Sequence, residues 1–108
     1  MILKNLIKNL STKKVDGNLG LKVRGISYNS QKVKKNDLFV AISGFRQDGH
    51  KYIREAIRKG ACAIVAERNG DYQAPAKILV PNSRLSLAQL SNRFFNYPSQ
   101  KLRVVGVT

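Results

Sequence analysis

The sequence has 108 residues, 43% of them apolar, which suits one compact domain with a single modest core and excludes a disordered chain. Lysine and arginine number 20 against 6 acidic residues, for a formal charge of +14. That balance favours anionic partners, but the basic residues are dispersed from Lys4 to Arg103 and form no block. The single cysteine excludes an internal disulfide and a cysteine-based metal site.

Leu3, Leu6, Ile7 and Leu10 fall at i, i+3, i+4 and i+7, the stripe of a short amphipathic helix. The first residues, Met1 to Lys8, lack the apolar core of a signal peptide, and no later stretch approaches a membrane span, so a cytoplasmic protein without a membrane partner is expected. Residues 11–20 read as a loop with Gly17 and Gly20. Residues 22–28 read as a strand, and residues 29–36 as a polar turn. The continuous apolar run Leu38 to Ile42 suits a strand covered on both faces.

A turn-rich connection, Ser43 to Gly49, leads to a helix for which Asp48 is a candidate N-cap. In that helix Ile53, Ala56 and Ile57 share a face, Glu55 and Arg58 point to water, and Gly60 suits the C-terminal end. Cys62 to Ala66 reads as a buried strand, with Cys62 a small core hydrophobe. A loop over 67–76 follows, then a strand over 77–80. Asn82 or Ser83 can cap a helix carrying Leu87, Leu90, Ser91 and Phe94, which ends before Pro98. Residues 102–107 read as a last strand with little chain beside it to pair with. The alternation predicts an α/β domain built on a small mixed β-sheet flanked by helices.

No catalytic constellation is visible. The acidic residues are scattered, no complete phosphate-binding glycine loop is present, and His50 is the only histidine. His50 reads more simply as a helix-start residue with local hydrogen bonds than as a ligand contact. Two loops are the candidates for binding: Tyr28-Asn29-Ser30-Gln31, and Gly44-Phe45-Arg46-Gln47-Asp48-Gly49. Both lie at strand ends, where ligands of α/β sheets bind. Their hydroxyl and amide groups can read a base edge or ribose, Tyr28 or Phe45 can stack, and Arg46 can meet a phosphate. The same residue types also serve ordinary turns.

At these loops the sequence resembles a known family. Asn29-Ser30-Gln31-Lys32-Val33, Asn36-Asp37-Leu38-Phe39-Val40-Ala41-Ile42-Ser43-Gly44 and Asp48-Gly49-His50-Lys51-Tyr52-Ile53 are similar to the D-S-R-x-V, G-D-L-F-V-A-I-x-G and D-G-H-x-[FY]-I blocks of MurE-type ligases. Ala56 to Ala61, Ser83-Arg84 and Phe94 to Ser99 match later blocks. Leu102 to Thr108 is similar to the strand preceding the family's G-T-N-G-K-T loop. MurF-type ligases share the middle blocks and are the alternative within the family; a small basic nucleic-acid-binding module is the rival of another class, and lacks a recognised motif.

The resemblance implies a cytoplasmic, ATP- and magnesium-dependent ligase of peptidoglycan synthesis. It joins meso-diaminopimelate or L-lysine to UDP-N-acetylmuramoyl-L-alanyl-D-glutamate through an acyl phosphate. It implies that residues 1–101 form the N-terminal domain that binds the UDP-sugar substrate. Residues 102–108 would begin a central ATP-binding domain, with a C-terminal domain beyond. The fragment itself is expected to hold no catalytic residue, metal or cofactor, and to contact the substrate through Ser30, Tyr28, Phe45, Arg46 and Gln47. Two departures stand out. Asn29 and Gln31 replace the charges of D-S-R, so any brace between those charges is expected to become an amide–amide hydrogen bond. Asn36 replaces a turn glycine, a position asparagine tolerates.

Overall fold

The computed structural model describes residues 1–44 and 48–96. In chain order it contains α1 (Leu3–Leu6), β1 (Lys14–Gly17), β2 (Gly25–Ser27), β3 (Asp37–Val40), α2 (Ile53–Arg58), β4 (Ala63–Ala66), β5 (Ala76–Leu79) and α3 (Ser83–Phe95). Short 3-10 turns at Ser30–Lys32 and Gly49–Tyr52 precede β3 and α2. The strand residues assigned to 102–107 from the sequence lie outside the described residues.

The five strands form one mixed sheet in the order β1-β5-β4-β3-β2. β2 to β5 are parallel, and β1 joins β5 antiparallel with Lys14 opposite Leu79 and Gly17 opposite Ala76. Every residue of β3 and β4 is buried, as expected of apolar runs covered on both faces. Alternation along these strands divides the core. Leu38, Val40, Ala63, Val65 and Ile78 face one way, toward Leu3 and Leu6 of α1 and Leu90 and Phe94 of α3. Phe39, Ala41, Ile64 and Ala66 face the other way, toward Ile53 and Ala56 of α2.

Val33, on the connection from β2 to β3, and Tyr72, on that from β4 to β5, join the same side as α2. Parallel crossovers share one hand, so three successive steps in one direction across a sheet place all three connections on one face. The opposite face is left for α1 and α3. The result is three layers.

Residues 11–20, read from the sequence as a loop, contain β1. This is a short edge strand with one partly buried residue, Val15, among charged neighbours; its pairing to β5 defines it, and its own pattern does not. Asn36 has φ of +70°, the left-handed backbone expected for an asparagine standing in place of glycine. α2 ends as expected on Gly60 at φ of +112°. The Gly60 N–H bonds Ile57 O at 3.0 Å and the Ala61 N–H bonds Ala56 O at 3.0 Å, the paired bonds of a Schellman motif. A Cβ on Gly60 would lie 2.7 Å from Lys35 Cα. Gly60→Ala therefore combines left-handed strain with a backbone clash, and a loss of about 1–3 kcal/mol in urea unfolding is expected.

Candidate functional site

The carboxyl ends of β2 and β3 open into a cleft of about 440 Å³ lined by Tyr28, Asn29, Ser30, Gln31, Phe39, Ile42, Gly44, Gly49, Tyr52, Glu55 and Arg84. Its floor is the ends of two strands, and its walls come from the two candidate loops and from helices on opposite faces of the sheet. Tyr28 is exposed at 66%, leaving an aromatic face free to stack. Of the residues singled out from the sequence, Tyr28 and Ser30 thus line one cleft. Phe45, Arg46 and Gln47 lie outside the described residues.

The first loop is built by local hydrogen bonds. Ser27 Oγ donates to Asn29 O at 3.0 Å, and the Gln31 N–H donates to Asn29 Oδ1 at 2.9 Å, capping the 3-10 turn. The amide–amide bond expected from the sequence in place of the D-S-R charges is therefore not formed; Asn29 uses its side-chain carbonyl on the backbone N–H of Gln31 instead. The brace comes from α2. Ser30 Oγ donates to Glu55 Oε1 at 2.8 Å, Lys59 Nζ donates to Gln31 O at 3.0 Å, and Lys59 lies 3.9 Å from Glu55 Oε2. Glu55 in α2 and Lys59 at its C-cap are one helical turn apart, so the end of the helix grips the turn twice.

The second loop is closed at its base. Ser43 and Asp48 form an antiparallel bridge, and the Gly49 N–H donates to Ile42 O at 2.7 Å. A Cβ on Gly49 would meet Ile42 N at 2.6 Å, so the glycine of the D-G-H block permits a close backbone approach. Asp48 caps the turn as expected, accepting the His50 N–H at 3.0 Å. The Glu67 N–H donates to His50 Nε2 at 3.0 Å, which leaves Nδ1 as the protonated nitrogen facing Asp48 Oδ1 at 2.7 Å. His50 lines a different cleft, beside Arg54, Arg68 and Tyr72; its role here is to tie the loop base to the end of β4. Glu67 Oε2 in turn accepts the Ser83 N–H at 2.8 Å, while Asn82 Oδ1 accepts that of Leu85 at 3.1 Å, so the first turn of α3 is capped twice.

Glu55, Tyr52 and Arg84 were not singled out from the sequence. Glu55 reads there as a water-facing helix residue, because nothing local shows that Ser30 returns to it. Tyr52 and Arg84 fall within the family blocks, and that was the available signal. Among the described residues no group of three or more His, Cys, Asp or Glu is placed to hold a metal, and no helix is long and apolar enough to cross a membrane. Burial raises the Cys62 thiol above its ordinary value, in keeping with an inert core cysteine.

Burial pushes the Asp48 carboxyl up, but hydrogen bonds from the His50 backbone, the Arg68 guanidinium and the His50 ring outweigh it and hold the group well below its ordinary value of 3.8. A carboxyl lowered in the folded state contributes stability above the unfolded value and loses it as the pH falls through the folded one. Asp48→Asn should therefore flatten the decline of unfolding free energy on acidification from about pH 5 to about pH 2, measured by urea titration.

Residues 22–95 match the model of the Mur ligase family, catalytic domain. Across its whole length the chain is 41% identical to UDP-N-acetylmuramoyl-L-alanyl-D-glutamate--2,6-diaminopimelate ligase of Clostridioides difficile (strain 630), and 44% identical to the ligase of that name of Syntrophomonas wolfei; it spans 22% of each. Among solved structures it superposes on MurF from Acinetobacter baumannii with a TM-score of 0.73 at 23% identity, over 82% of this chain and 19% of that one, a likeness of fold. It superposes on the MurF ligase of Thermotoga maritima in complex with ADP with a TM-score of 0.59 at 41% identity, over 68% of this chain and 17% of that one. With the family model covering most of the sequence, and the α/β fold agreeing, this chain belongs to the Mur ligase family.

Proposed function

We propose that this chain is the N-terminal, UDP-sugar-binding domain of a ligase that extends the peptide of a UDP-N-acetylmuramoyl precursor in peptidoglycan synthesis. The observation that carries this reading is the cleft itself: Tyr28 and Ser30, carried over from the family motifs, line one concave site at the carboxyl ends of β2 and β3. The cleft offers what a nucleotide needs, with aromatic faces at Tyr28 and Tyr52, a hydroxyl at Ser30 and a guanidinium at Arg84. The names of the relatives identical at about two positions in five support UDP-N-acetylmuramoyl-L-alanyl-D-glutamate as substrate and 2,6-diaminopimelate as the added amino acid, with L-lysine as the other choice.

On this reading residues 1–101 are the substrate domain and residues 102–108, outside the described part, begin a central ATP-binding domain. Phe45, Arg46 and Gln47 complete the nucleotide contacts. ATP and magnesium are held by the central domain, and this chain supplies remote binding energy that positions the reacting carboxylate. The setting is the cytoplasm. The identity to the Thermotoga maritima enzyme favours a second reading, a MurF-type ligase adding a D-alanyl-D-alanine dipeptide. The amino substrate accepted by the longer enzyme separates the two.

The test is a titration of the isotope-labelled chain with UDP-N-acetylmuramoyl-L-alanyl-D-glutamate, followed by backbone amide shifts. Saturable shifts clustered at Tyr28–Gln31 and around Gly44 and Gly49 are expected, and shifts elsewhere, or none at millimolar ligand, overturn the site. Ser30→Ala should weaken binding roughly two- to tenfold, and in the longer ligase raise KM for the UDP-substrate by a similar factor.

A further inference from the structure

We infer that Glu55 is a positioning residue that fixes Ser30 as a hydrogen-bond acceptor toward the ligand, so that the cleft selects its nucleotide by a donor group: the imide N–H of a uracil-like base or a ribose hydroxyl. This inference rests on the nucleotide-binding reading above and deepens it.

A serine hydroxyl has one proton and two lone pairs. In this fold the proton of Ser30 is committed to Glu55 Oε1 at 2.8 Å. A carboxylate only accepts, so the bond has one possible direction. No described group donates to Ser30 Oγ, while the Ser27 hydroxyl and the Asn29 carbonyl are already engaged within the loop. Ser30 is nearly buried yet lines the cleft. What it presents there is lone pairs, and a ligand atom meeting them must bring a hydrogen. A pyrimidine carrying a bare N3, as in cytosine, brings none at that position.

The charges decide which end of a nucleotide lies here. Glu55 lines the cleft and repels phosphate. Arg84, reaching over from α3 on the opposite face, has no carboxylate partner among the described residues. The leading amides of α3 are occupied, that of Ser83 by Glu67 and that of Leu85 by Asn82, so they do not compete for the anion. The phosphates belong toward Arg84, and the nucleoside toward Ser30 and Glu55.

The experiment titrates the wild-type chain with UDP, CDP, 2′-deoxy-UDP and 3′-deoxy-UDP, following amide shifts, and repeats the series in Ser30→Ala, Glu55→Ala and Glu55→Gln. In the wild type at least one analogue lacking a donor should bind roughly three- to tenfold more weakly than UDP. CDP identifies the base N–H as the group read, and a deoxy analogue identifies a ribose hydroxyl. Ser30→Ala and Glu55→Ala should shrink that penalty to below about twofold. Glu55→Gln, which keeps an acceptor oxygen in place, should retain it. Well-dispersed amide spectra in every variant separate this effect from unfolding. If UDP binds but no analogue is penalised, or the penalty survives Glu55→Ala, the inference fails while the nucleotide site stands. If no nucleotide binds the wild type, both fail.

Discussion

The domain depends on the burial of β3 and β4 on both faces. Leu38, Phe39, Val40, Ile64 and Val65 are almost completely removed from water, and the two sides of these strands need separate covers. Burying a side chain of this size contributes about 1.5–3 kcal/mol, so leaving either face open would remove much of the stability of so small a domain. The crossovers cover one face because their common hand leaves them no other side. α1 and α3 cover the second. The number of layers thus follows from the character of two four-residue strands.

This constraint also makes the site. Strands buried on both faces can present ligand-binding groups only at their ends, and the parallel arrangement brings the ends of β2 and β3 to one edge. Helices from both faces then reach the same cleft, α2 with Glu55 and α3 with Arg84. A helix pair on a single face would supply one wall. The opposition of a carboxylate and a guanidinium across the cleft is a consequence of the layering.

The polar groups around the site are tied together to a degree that the loops alone would not require. Asp48, His50, Glu67 and the first amide of α3 form a continuous chain of hydrogen bonds from the second loop to the helix that bears Arg84. Each link satisfies a backbone N–H or a partly buried side chain that would otherwise lose its partner on leaving water. The grip of Glu55 and Lys59 on the Ser30 turn is the equivalent tie on the other face. Here the loop itself carries the amides Asn29 and Gln31 in place of charges, and the charges that steady it come from a helix that begins more than twenty residues later.

The sequence by itself determined the elements whose cause is local. The apolar runs at Leu38 to Ile42 and Cys62 to Ala66, the caps at Asp48 and Asn82, the left-handed Asn36 and Gly60, and the position of both candidate loops all follow from side-chain periodicity and turn chemistry within a few residues. The family motifs pointed again to Ser30 and Tyr28 of the first loop, and both line the cleft. What only the tertiary structure decided has partners far apart in the chain. β1 is a strand because Leu79 and its neighbours offer an open edge, while its own residues carry almost no apolar pattern. Glu55 reads as a surface residue on its helix and becomes part of the site only when the fold returns it to Ser30, 25 positions earlier. Local propensity sets where the chain turns, and packing across the sheet sets which side chains meet.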